Sequence, residues 1–547
     1  MRASTTQKYD AIIAGTGIYG TSLGAILARK GARVLMIERG RHPRFALGEA
    51  LLPQSAIWPF VLGARFELPE LGHLSHADRI VDHITGTCGL KHSIGFAWHG
   101  TDTPVEPTHV HQLIPPHMPF YSESHLYRKD VDQFLLKAAC QHGCEYVDET
   151  SITAVEWDDD AVTVSAGDAH WSAEVFIDAT GRNSLLANKQ GYRDAVPRAR
   201  THSRCIFAHV EGLPPIDGWL QADSEGRRLH DGTFHHMFEG GWLWVIPFDN
   251  FHRSTSPLAS IGLMLDPRVH PEDPSLSPEE EFRALVSRFP TIQAQLNGIK
   301  AVHPFTRTGR LQYTASTSVG HRHILAPSTY GFVDPIYSNG LVHSFESVYR
   351  VASHLLSGLG LDDSGGPRSD FSAASLASID ALHKAQWADA DRMASTAYAA
   401  MRNPHTWGAW TQVWLAQVLF SDLWLQRACF RFFESKSPTT LDVLLQGSRP
   451  GSGSPLAPGR EALLDDLAAL LQGDTEPTVT AAAMLARLRA ETWLPRHVYD
   501  WGNPDARSID FSRPEVAGAL LEWGFTASPE PLRSGLFDFS LPGPPPG

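Results

Sequence analysis

The chain has 547 residues, 42% of them hydrophobic, and a formal net charge of −14 at pH 7. A chain of this length is too long for one compact core and predicts two or three domains. The acidic balance argues against nucleic acid or an anionic membrane surface as a partner. No apolar run is long enough to span a bilayer, and the first residues carry no apolar signal segment, so we expect a cytoplasmic protein.

The cysteines and histidines give no prediction of a metal site. Cys140 and Cys144 lie four residues apart on a predicted helix and could form a redox or metal pair, but two buried, reduced thiols are the favoured interpretation. The chain has 27 histidines, and neither His235-His236 nor the His-Arg-His run at 321–323 has the spacing of a recognised zinc site. We therefore predict no bound metal.

The stretch 9–38 predicts a strand, a glycine turn, a helix and a second strand. The turn reads GTGIYG and starts at Gly15. Gly15 permits the tight turn, Gly17 lets the backbone approach a pyrophosphate, and Gly20 lets the helix pack closely against the sheet. The phosphates would then lie on the free N–H groups at the start of the helix, so the stretch predicts a dinucleotide site.

Glu38 falls at the end of the second strand, where an acid can accept both ribose hydroxyls of a nucleotide. Arg39 follows it directly, so this stretch alone leaves both FAD and NAD(P) open as the cofactor. A glycine-bearing turn in some other α/β protein is the alternative, but the strand, the helix, the spacing and the acid all agree with a dinucleotide site.

Later segments return to the same sheet. Residues 48–53, GEALLP, follow a loop with two arginines, and Arg128 opens an amphipathic helix that ends near Gly143. A predicted strand ends in DATGR, from Asp178 to Arg182. Small residues there let the backbone pass close to a cofactor, although a simple strand-end turn would explain the same pattern.

Residues 200–310 predict mainly β structure. Within them, the run GGWLWVIP at 240–247 alternates so that Trp242 and Trp244 share one face of a strand. Two neighbouring indoles form either a core layer or the wall of a ligand cavity, and the pattern alone favours the core.

Ser338, Asn339 and Gly340 precede a predicted helix that continues to about residue 356. Free N–H groups at a helix start favour an anion, although ordinary capping by Ser and Asn explains the same residues. Beyond residue 375 the chain is helical and rich in tryptophan.

Taken in order, GTGIYG, GEALLP, a lysine before GFAW, R-x-x-x-D, DATGR, WLWVIP and FVDPIYSNG resemble the flavin-dependent halogenases, within the two-domain FAD monooxygenases. The resemblance covers roughly residues 9–355, and its most specific element is the WxWxIP signature at 242–247. It implies an α/β fold: a Rossmann-type FAD domain, a mixed β-sheet substrate domain and a helical C-terminal region. We expect the core at 1–350 with substrate-domain insertions at about 80–125 and 195–310, helices at 351–447, a linker at 448–459, and a helical segment with a disordered tail at 460–547.

The resemblance implies a reaction of specialised metabolism, such as antibiotic biosynthesis. FADH2 from a separate flavin reductase reacts with O₂ and chloride or bromide to give hypohalous acid, and the catalytic lysine, matched by Lys91, holds or activates this oxidant beside the substrate. A buried lysine suits that role because its lowered pKa lets it act as a donor or a nucleophile, whereas a solvent-facing strand-edge lysine would not.

The remaining site residues are carried over from the family's motifs. For FAD they are Gly15, Gly17, Ile18, Tyr19, Gly20, Glu38, Arg39, Gly48, Glu49, Arg128, Asp178, Gly181, Asp334 and Gly340. For the halide they are Ser338, Asn339 and Gly340, through backbone N–H groups. For the wall of a tunnel between flavin and lysine they are Trp242, Trp244, Ile246 and Pro247.

Departures from the family pattern reduce the range of substrates that we expect. Ile336 and Tyr337 stand after Pro335, where tryptophan-type members carry an acidic base, so free tryptophan is not the expected substrate. The chain looks closer to the phenol, pyrrole and carrier-bound group, and we expect a phenolic or polyketide-derived aromatic, free or tethered. Ala326-Pro327-Ser328 replaces the family's Gly-Asp/Asn-Ala turn, so the binding of the ribityl and phosphate portion of FAD is less certain from the resemblance.

Two rival functions remain at this stage. One is another enzyme of the same fold, a hydroxylating FAD monooxygenase or a reductase of the geranylgeranyl type, neither of which needs the WxWxIP run or Lys91. The other is a flavin-binding subunit without catalysis, which the change at 326–328 alone supports.

Overall fold

The computed structural model describes residues 7–115, 123–222, 227–362, 369–445 and 457–540. The strands in chain order are β1 (Gln7–Ala14), β2 (Val34–Ile37), β3 (Gly89–Lys91), β4 (Ser93–Trp98), β5 (Val110–Ile114), β6 (Glu123–His125), β7 (Glu145–Val147), β8 (Ala154–Trp157), β9 (Val162–Ala166), β10 (Ala169–Asp178), β11 (Arg204–Glu211), β12 (Gly232–Phe238), β13 (Gly241–Pro247), β14 (Leu258–Leu265), β15 (Lys300–Ala301), β16 (Thr306–Arg307), β17 (Val319–Gly320), β18 (His323–Leu325) and β19 (Ser508–Asp510). The α-helices are α1 (Ile18–Arg29), α2 (Pro53–Phe66), α3 (Pro69–Gly72), α4 (Ala77–His83), α5 (Arg128–Gln141), α6 (Leu185–Lys189), α7 (Pro278–Val286), α8 (Pro290–Leu296), α9 (Pro327–Tyr330), α10 (Asn339–Leu359), α11 (Ala377–Ala400), α12 (Pro404–Ser435), α13 (Ala457–Gln472), α14 (Pro477–Ala490), α15 (Pro514–Thr526) and α16 (Glu530–Leu532).

The first sheet carries the glycine turn. Its main path runs β17-β18-β10-β1-β2-β7. Strand β1 is parallel to both β10 and β2, and β10 is parallel to β18. The carboxyl ends of these four strands therefore meet at one edge, which is where open α/β sheets bind their ligands.

The second sheet runs β15-β11-β14-β13-β12-β4-β5-β19. It is mostly antiparallel, but β12 is parallel to β4 and β19 is parallel to β5. One face of it packs on α7 and α8 in a separate apolar cluster that includes Leu243 and Val245. Strand β19 comes from the C-terminal segment, where the sequence analysis expected helices and a tail.

A two-stranded ribbon of β3 and β6 stands apart from both sheets. It is antiparallel, and its register places Lys91 opposite Glu123 and Gly89 opposite His125. The segment 50–52 joins the ribbon, because Ala50 bridges His125 and the Leu51 N–H donates to the Ser124 carbonyl. The ribbon fixes the surroundings of the predicted catalytic lysine.

The C-terminal helices continue the core of the first sheet. Helix α12 is 32 residues long and buries side chains around most of its circumference, including Trp407, Trp410 and Trp414. It packs on α2 and α14, and Trp414 stacks on Tyr337 with ring centroids 5.4 Å apart. A helix that is apolar on every side belongs inside a protein, which explains the tryptophan-rich composition of this region.

The predicted domain boundaries stay a prediction. Most of the predicted linker at 448–459 lies outside the described residues, but residues 457–459 already belong to α13. The last residues of the predicted tail, 542–547, also lie outside the described residues. Among the described residues, no helix has the length and apolar composition needed to cross a membrane.

Candidate active site

The glycine turn joins β1 to α1 as predicted. Gly15 has a φ of +96°, and a Cβ on it would lie 2.5 Å from the Ala179 carbonyl oxygen. A Cβ on Gly20 would lie 2.0 Å from the Gly15 carbonyl oxygen, so any larger residue would push α1 off the sheet. At Gly17, in contrast, the nearest heavy atom to such a Cβ is Arg44 Nη2 at 3.8 Å, which leaves the start of the helix open to a ligand.

Glu38 is hydrogen-bonded to the glycine turn. Its Oε2 accepts hydrogen bonds from the Thr16 N–H at 3.0 Å and the Thr16 hydroxyl at 2.9 Å, and its Oε1 accepts from the Gly40 N–H at 3.0 Å. Burial raises the pKa of the Glu38 carboxyl, but these hydrogen bonds and the charge of Arg44 outweigh burial, so the pKa is lowered. Glu38 therefore stays ionised beside the turn.

Arg44 is an arginine at this end of the site that was not among the predicted cofactor residues. It lies 3.4 Å from Glu38 Oε2 and faces the position of Gly17. The predicted Arg39 is exposed just after β2 and lies outside the cavity lining, so its role toward a cofactor stays a prediction.

Arg128 holds the GEALLP loop. Its Nε and Nη2 donate to the two carboxylate oxygens of Asp132 at 2.7 and 3.0 Å. Its Nη1 donates to the Leu47 carbonyl at 2.6 Å and the Gly48 carbonyl at 3.1 Å. The bidentate pair lies one helical turn apart on α5, so the guanidinium is rigid and the loop is fixed against it.

Glu49 makes a buried pair that the sequence did not suggest. Its Oε1 lies 2.6 Å from His209 Nε2, and both side chains are buried. His209 comes from β11, 160 residues away, so no local pattern could have revealed it.

A cavity of about 470 Å³ lies between the two sheets, within the size range of cofactor sites. Its lining includes the glycine turn and the start of α10. Of the predicted residues, those that line it are Gly17, Ile18, Tyr19, Gly20, Gly48, Glu49, Arg128, Trp242, Trp244, Ile246, Asp334, Ser338 and Gly340. Within the described chain, the lining omits Gly15, Glu38, Arg39, Lys91, Asp178, Gly181, Pro247 and Asn339.

The two indoles face this cavity. Trp242 and Trp244 have ring centroids 5.9 Å apart at 51° and are both buried. Trp244 Nε1 donates to the Ser260 hydroxyl at 3.2 Å, and a Cβ on Gly262, its partner on β14, would lie 2.0 Å from the Trp244 ring. The pattern alone favoured a plain core layer, but the pair forms a cavity wall. Pro247 lies outside the lining, and its carbonyl oxygen accepts a hydrogen bond from His125 Nδ1 at 2.7 Å.

The start of α10 also lines the cavity. Ser338 precedes the helix with a φ of +51°, a left-handed conformation that few residues other than glycine adopt. Ser338 and Gly340 line the cavity, whereas Asn339 lines a smaller space toward α12. Strained backbone of this kind concentrates at functional sites, and the first N–H groups of a helix lack helical partners.

Asp334 sits beside this helix start. Its carboxylate accepts hydrogen bonds from Ser203 Oγ at 2.7 Å, the Tyr398 hydroxyl at 3.1 Å and the Ile336 N–H at 3.1 Å. Burial raises the pKa of Asp334 to about 6, against the lowering effect of these hydrogen bonds. Tyr398 belongs to α11, so the C-terminal helices take part in the site.

Lys91 is buried, with 1% of its surface exposed. Its Nζ donates to the Leu51 carbonyl oxygen. Burial lowers the pKa of Lys91 to about 8, and the charge of Glu123 only partly opposes this. The Lys91 charge lowers the pKa of His235, which lines the cavity, so the lysine lies near this lining without belonging to it.

Asp178 and Gly181 support the cavity from outside it. The Asp178 carboxylate accepts hydrogen bonds from Thr180, Ser184 and the Leu186 N–H, at 2.6 to 3.1 Å. These hydrogen bonds shape the turn, and the approach of Asp178 to a cofactor stays a prediction. The Gly181 N–H donates to Thr329 Oγ1 at 3.0 Å, and Ala179 is the residue of this turn that lines the cavity.

The glycine turn at the edge of a parallel sheet, with an elongated cavity against a second sheet, defines a two-domain dinucleotide-binding enzyme of the FAD type. The open face of Gly17 and the ionised Glu38 fit the pyrophosphate and ribose of FAD. In the described ranges, no group of three His, Cys, Asp or Glu side chains is arranged to hold a metal ion.

Comparisons with known proteins identify the reaction class. No family model matches the chain. The monodechloroaminopyrrolnitrin halogenase PrnC of Pseudomonas fluorescens is 33% identical over 98% of this chain and 94% of its own. The tetracycline 7-halogenase of Kitasatospora aureofaciens is 32% identical over 94% of this chain and 93% of its own. A crystal structure of the halogenase PltM with phloroglucinol and FAD has a TM-score of 0.81 at 31% identity, covering 88% of this chain and 95% of PltM.

The chain belongs to the flavin-dependent halogenases. It is an FADH2-dependent halogenase, which uses FAD and a halide, and the predicted two-domain α/β fold is confirmed. The comparisons favour this enzyme over a hydroxylating monooxygenase or a geranylgeranyl-type reductase.

Proposed function

We propose that the chain halogenates a free, electron-rich aromatic of phenolic or polyketide-derived type, and that Lys91 controls the transfer of the halogen. One observation carries the proposal: Lys91 is buried outside the cavity lining, and burial lowers its pKa to about 8. A lysine in this state can donate a hydrogen bond to hypohalous acid as an ammonium or react with it as an amine. An exposed ammonium could not keep the oxidant from solvent.

The cavity residues divide into three roles in this proposal. The glycine turn and Glu38 hold the ADP half of FAD, and Arg128 positions the loop 47–50 beside the flavin. Bound reduced FAD supplies the oxidising chemistry that converts O₂ and halide into hypohalous acid. The N–H groups at 338–340 hold the halide, because a helix start attracts anions.

Trp242 and Trp244 separate this chemistry from the substrate. Their buried rings and Ile246 line the same cavity as the predicted flavin-binding residues, where they would keep an aromatic substrate from stacking on the flavin. The small oxidant then passes to Lys91, where the substrate is halogenated.

The substrate class rests on the relatives and on two residues of this chain. PrnC and the tetracycline halogenase are named for aromatic small molecules, and PltM was crystallised with a trihydric phenol. Ile336 and Tyr337 are buried and place no acid at the position where tryptophan-type members carry their base. A phenol can instead be activated by loss of its hydroxyl proton, which makes the ring more electron-rich.

The proposal includes a separate flavin reductase as the source of FADH2. NADH added to the purified protein alone is therefore expected to leave its FAD oxidised and to give no product. Rapid bleaching of the bound FAD by NADH alone would contradict this part of the proposal.

The main test supplies FAD, a flavin reductase, NADH and bromide with phloroglucinol, simple phenols and tryptophan, and detects bromine incorporation by mass spectrometry. Wild type should brominate the phenols, and Lys91→Ala should lose this activity while retaining FAD. Lys137→Ala is the matched control, because Lys137 is exposed on α5. Bromination by Lys91→Ala at the parental rate would refute the role of Lys91, and an oxygenated product without halogen would support the monooxygenase alternative.

A further inference from the structure

We propose that Glu123 is the base of the halogenation step and accepts the proton that the aromatic substrate loses. The inference rests on the proposed function of Lys91 and adds a second catalytic residue to the same site. The two-stranded ribbon places the Glu123 carboxylate opposite the lysine.

The register of the ribbon brings the two side chains together. Lys91 in β3 and Glu123 in β6 are direct antiparallel partners. Opposed residues in such a pair project from the same face, with Cβ atoms about 4.5–5.5 Å apart. Both are buried, at 1% and 7% exposure. Neither neighbour on the ribbon offers this chemistry, because Leu90 is apolar and the Ser124 hydroxyl is not a base.

One oxygen of the Glu123 carboxylate has no hydrogen-bond partner among the described residues. Within the described chain its Oε2 is buried and accepts no hydrogen bond, while the Lys91 amino group donates to the Leu51 carbonyl oxygen instead of forming an ion pair with Glu123. A buried carboxylate oxygen without a donor costs stability, so such groups call for an explanation beyond packing. A base that must receive a proton from substrate provides one.

Burial and the charged groups around Glu123 bring the pKa of its carboxyl close to neutral pH. Burial raises its pKa to about 8; the Lys91 charge, from the opposite strand, lowers it, and Asp422, from α12, raises it. Asp422 is itself buried with a pKa raised to about 8, and Gln426 donates to it at 2.6 Å. His125, on the same strand, is held neutral by burial and lies between Pro247 and Thr233.

The other candidate bases near the site are less suited. Burial lowers the pKa of His125 and of His235 to about 3, so neither takes up a proton readily. Glu49 is engaged with His209 at 2.6 Å. Asp334 already accepts three hydrogen bonds. Glu123 and Asp422 both combine a high pKa with an unused oxygen, but Glu123 is the one opposite Lys91 on the ribbon, whereas Asp422 lies on α12 and accepts from Gln426.

The step balances with Lys91 as the acid and Glu123 as the base. The ring's π electrons attack the halogen of hypohalous acid and form the C–X bond; the O–X bond breaks, and its electron pair leaves as hydroxide. The Lys91 ammonium protonates this hydroxide to water, and the phenol hydroxyl gives its proton to Glu123. The halodienone then tautomerises to the halophenol, and proton transfer from Glu123 to Lys91 restores both groups.

The test compares Glu123→Gln, Glu123→Asp and Asp422→Asn with wild type, using phloroglucinol and bromide with FAD, a flavin reductase and NADH. Glu123→Gln should lower kcat about 10²- to 10⁴-fold, the range for a lost general base. Glu123→Asp should recover part of the rate. Bound FAD and hypobromite captured by a monochlorodimedone trap should stay at the wild-type level, which separates a lost base from a misfolded protein.

The pH profile gives a readout that a structural role would not move. The wild-type rate should rise as Glu123 ionises near pH 8 and fall as the Lys91 ammonium is lost. Glu123→Gln should lack the rising limb. Asp422→Asn should shift that limb to lower pH, because the Asp422 charge raises the pKa of Glu123.

Two failures are distinguishable. If Glu123→Gln keeps the wild-type rate and pH profile while Lys91→Ala is inactive, the assignment of Glu123 is wrong and the proposed function stands. If Lys91→Ala brominates as well as wild type, the proposed function itself fails, and the pairing with Glu123 fails with it.

Discussion

Replacing Lys91 by methionine should stabilise the folded protein at pH 7 while abolishing halogenation. Burial lowers the pKa of Lys91 from 10.5 to about 8. Each pKa unit corresponds to about 1.4 kcal/mol, so keeping the ammonium buried costs roughly 3 kcal/mol at any pH below 8. Methionine fits an apolar site without this cost, but it leaves the Leu51 carbonyl without its donor, a loss of about 1 kcal/mol. We expect a net gain of about 1–2 kcal/mol in the free energy of unfolding.

The gain should disappear as the pH rises. In the unfolded chain a lysine holds its proton up to about pH 10.4, whereas native Lys91 releases it near pH 8. The unfolded state therefore binds more protons between pH 8 and 10.4, and wild type gains stability with pH in that window. Removing Lys91 also raises the pKa of Glu123, because the Lys91 charge lowers it. Native Glu123 in the variant then binds a proton to higher pH, and the variant loses stability as that proton leaves.

Urea unfolding at pH 7, 8, 9 and 10, followed by tryptophan fluorescence with saturating FAD, measures the difference directly. The free-energy difference should favour Lys91→Met at pH 7 and shrink to zero or reverse by pH 10. Lys137→Met, at an exposed position, should stay within about 0.5 kcal/mol of wild type throughout. A variant that is less stable at pH 7, or a difference that does not change with pH, would refute the burial cost assigned to Lys91.

Three further predictions test the cavity. Gly20→Ala should lose bound FAD, measured by its absorbance, because the added Cβ would lie 2.0 Å from a backbone oxygen of the turn, whereas Gly218→Ala meets no atom within 4 Å and should retain FAD. Gly262→Ala should displace the Trp244 ring, which lies 2.0 Å from the new Cβ, and should release more trappable hypobromite per product formed; unchanged leakage would contradict a sealing role for the indoles. Ser338→Gly should keep the bromide KM within about twofold, and Ser338→Val should raise it at least tenfold, because a β-branched residue resists a φ of +51°; equal KM values would refute halide binding by this backbone.

Local patterns predicted the parts of the fold that depend on neighbouring residues. The glycine turn is set by spacing within six residues: Gly15 and Gly20 make the close contacts of the folded turn, and Gly17 leaves the helix start open. Strand alternation placed Trp242 and Trp244 on one face correctly. It could not decide between a core layer and a cavity wall, because that depends on how far apart the two sheets stand.

Features that join distant segments could not be read from the sequence. Glu49 meets His209 across 160 positions, and Lys91 meets Glu123 through two strands of three residues each. Strands this short have too little alternation to fix a register. Strand β19 gave no sequence signal for the same reason. Its three residues pair with a strand almost 400 positions earlier.

The position of Lys91 outside the cavity lining agrees with the reactivity of hypohalous acid in the proposed mechanism. There the oxidant would form beside the helix start at 338–340, in a cavity whose wall includes two indoles, which are themselves oxidisable rings. A lysine inside the cavity would react at the point of formation and leave the substrate no place apart from the flavin. Outside the lining, on a ribbon held by the segment 50–52, the lysine would receive the oxidant where Glu123 can take up a proton. The same separation requires a buried charge at Lys91, so we expect the stability cost at pH 7 and the halogenation activity to share one structural cause.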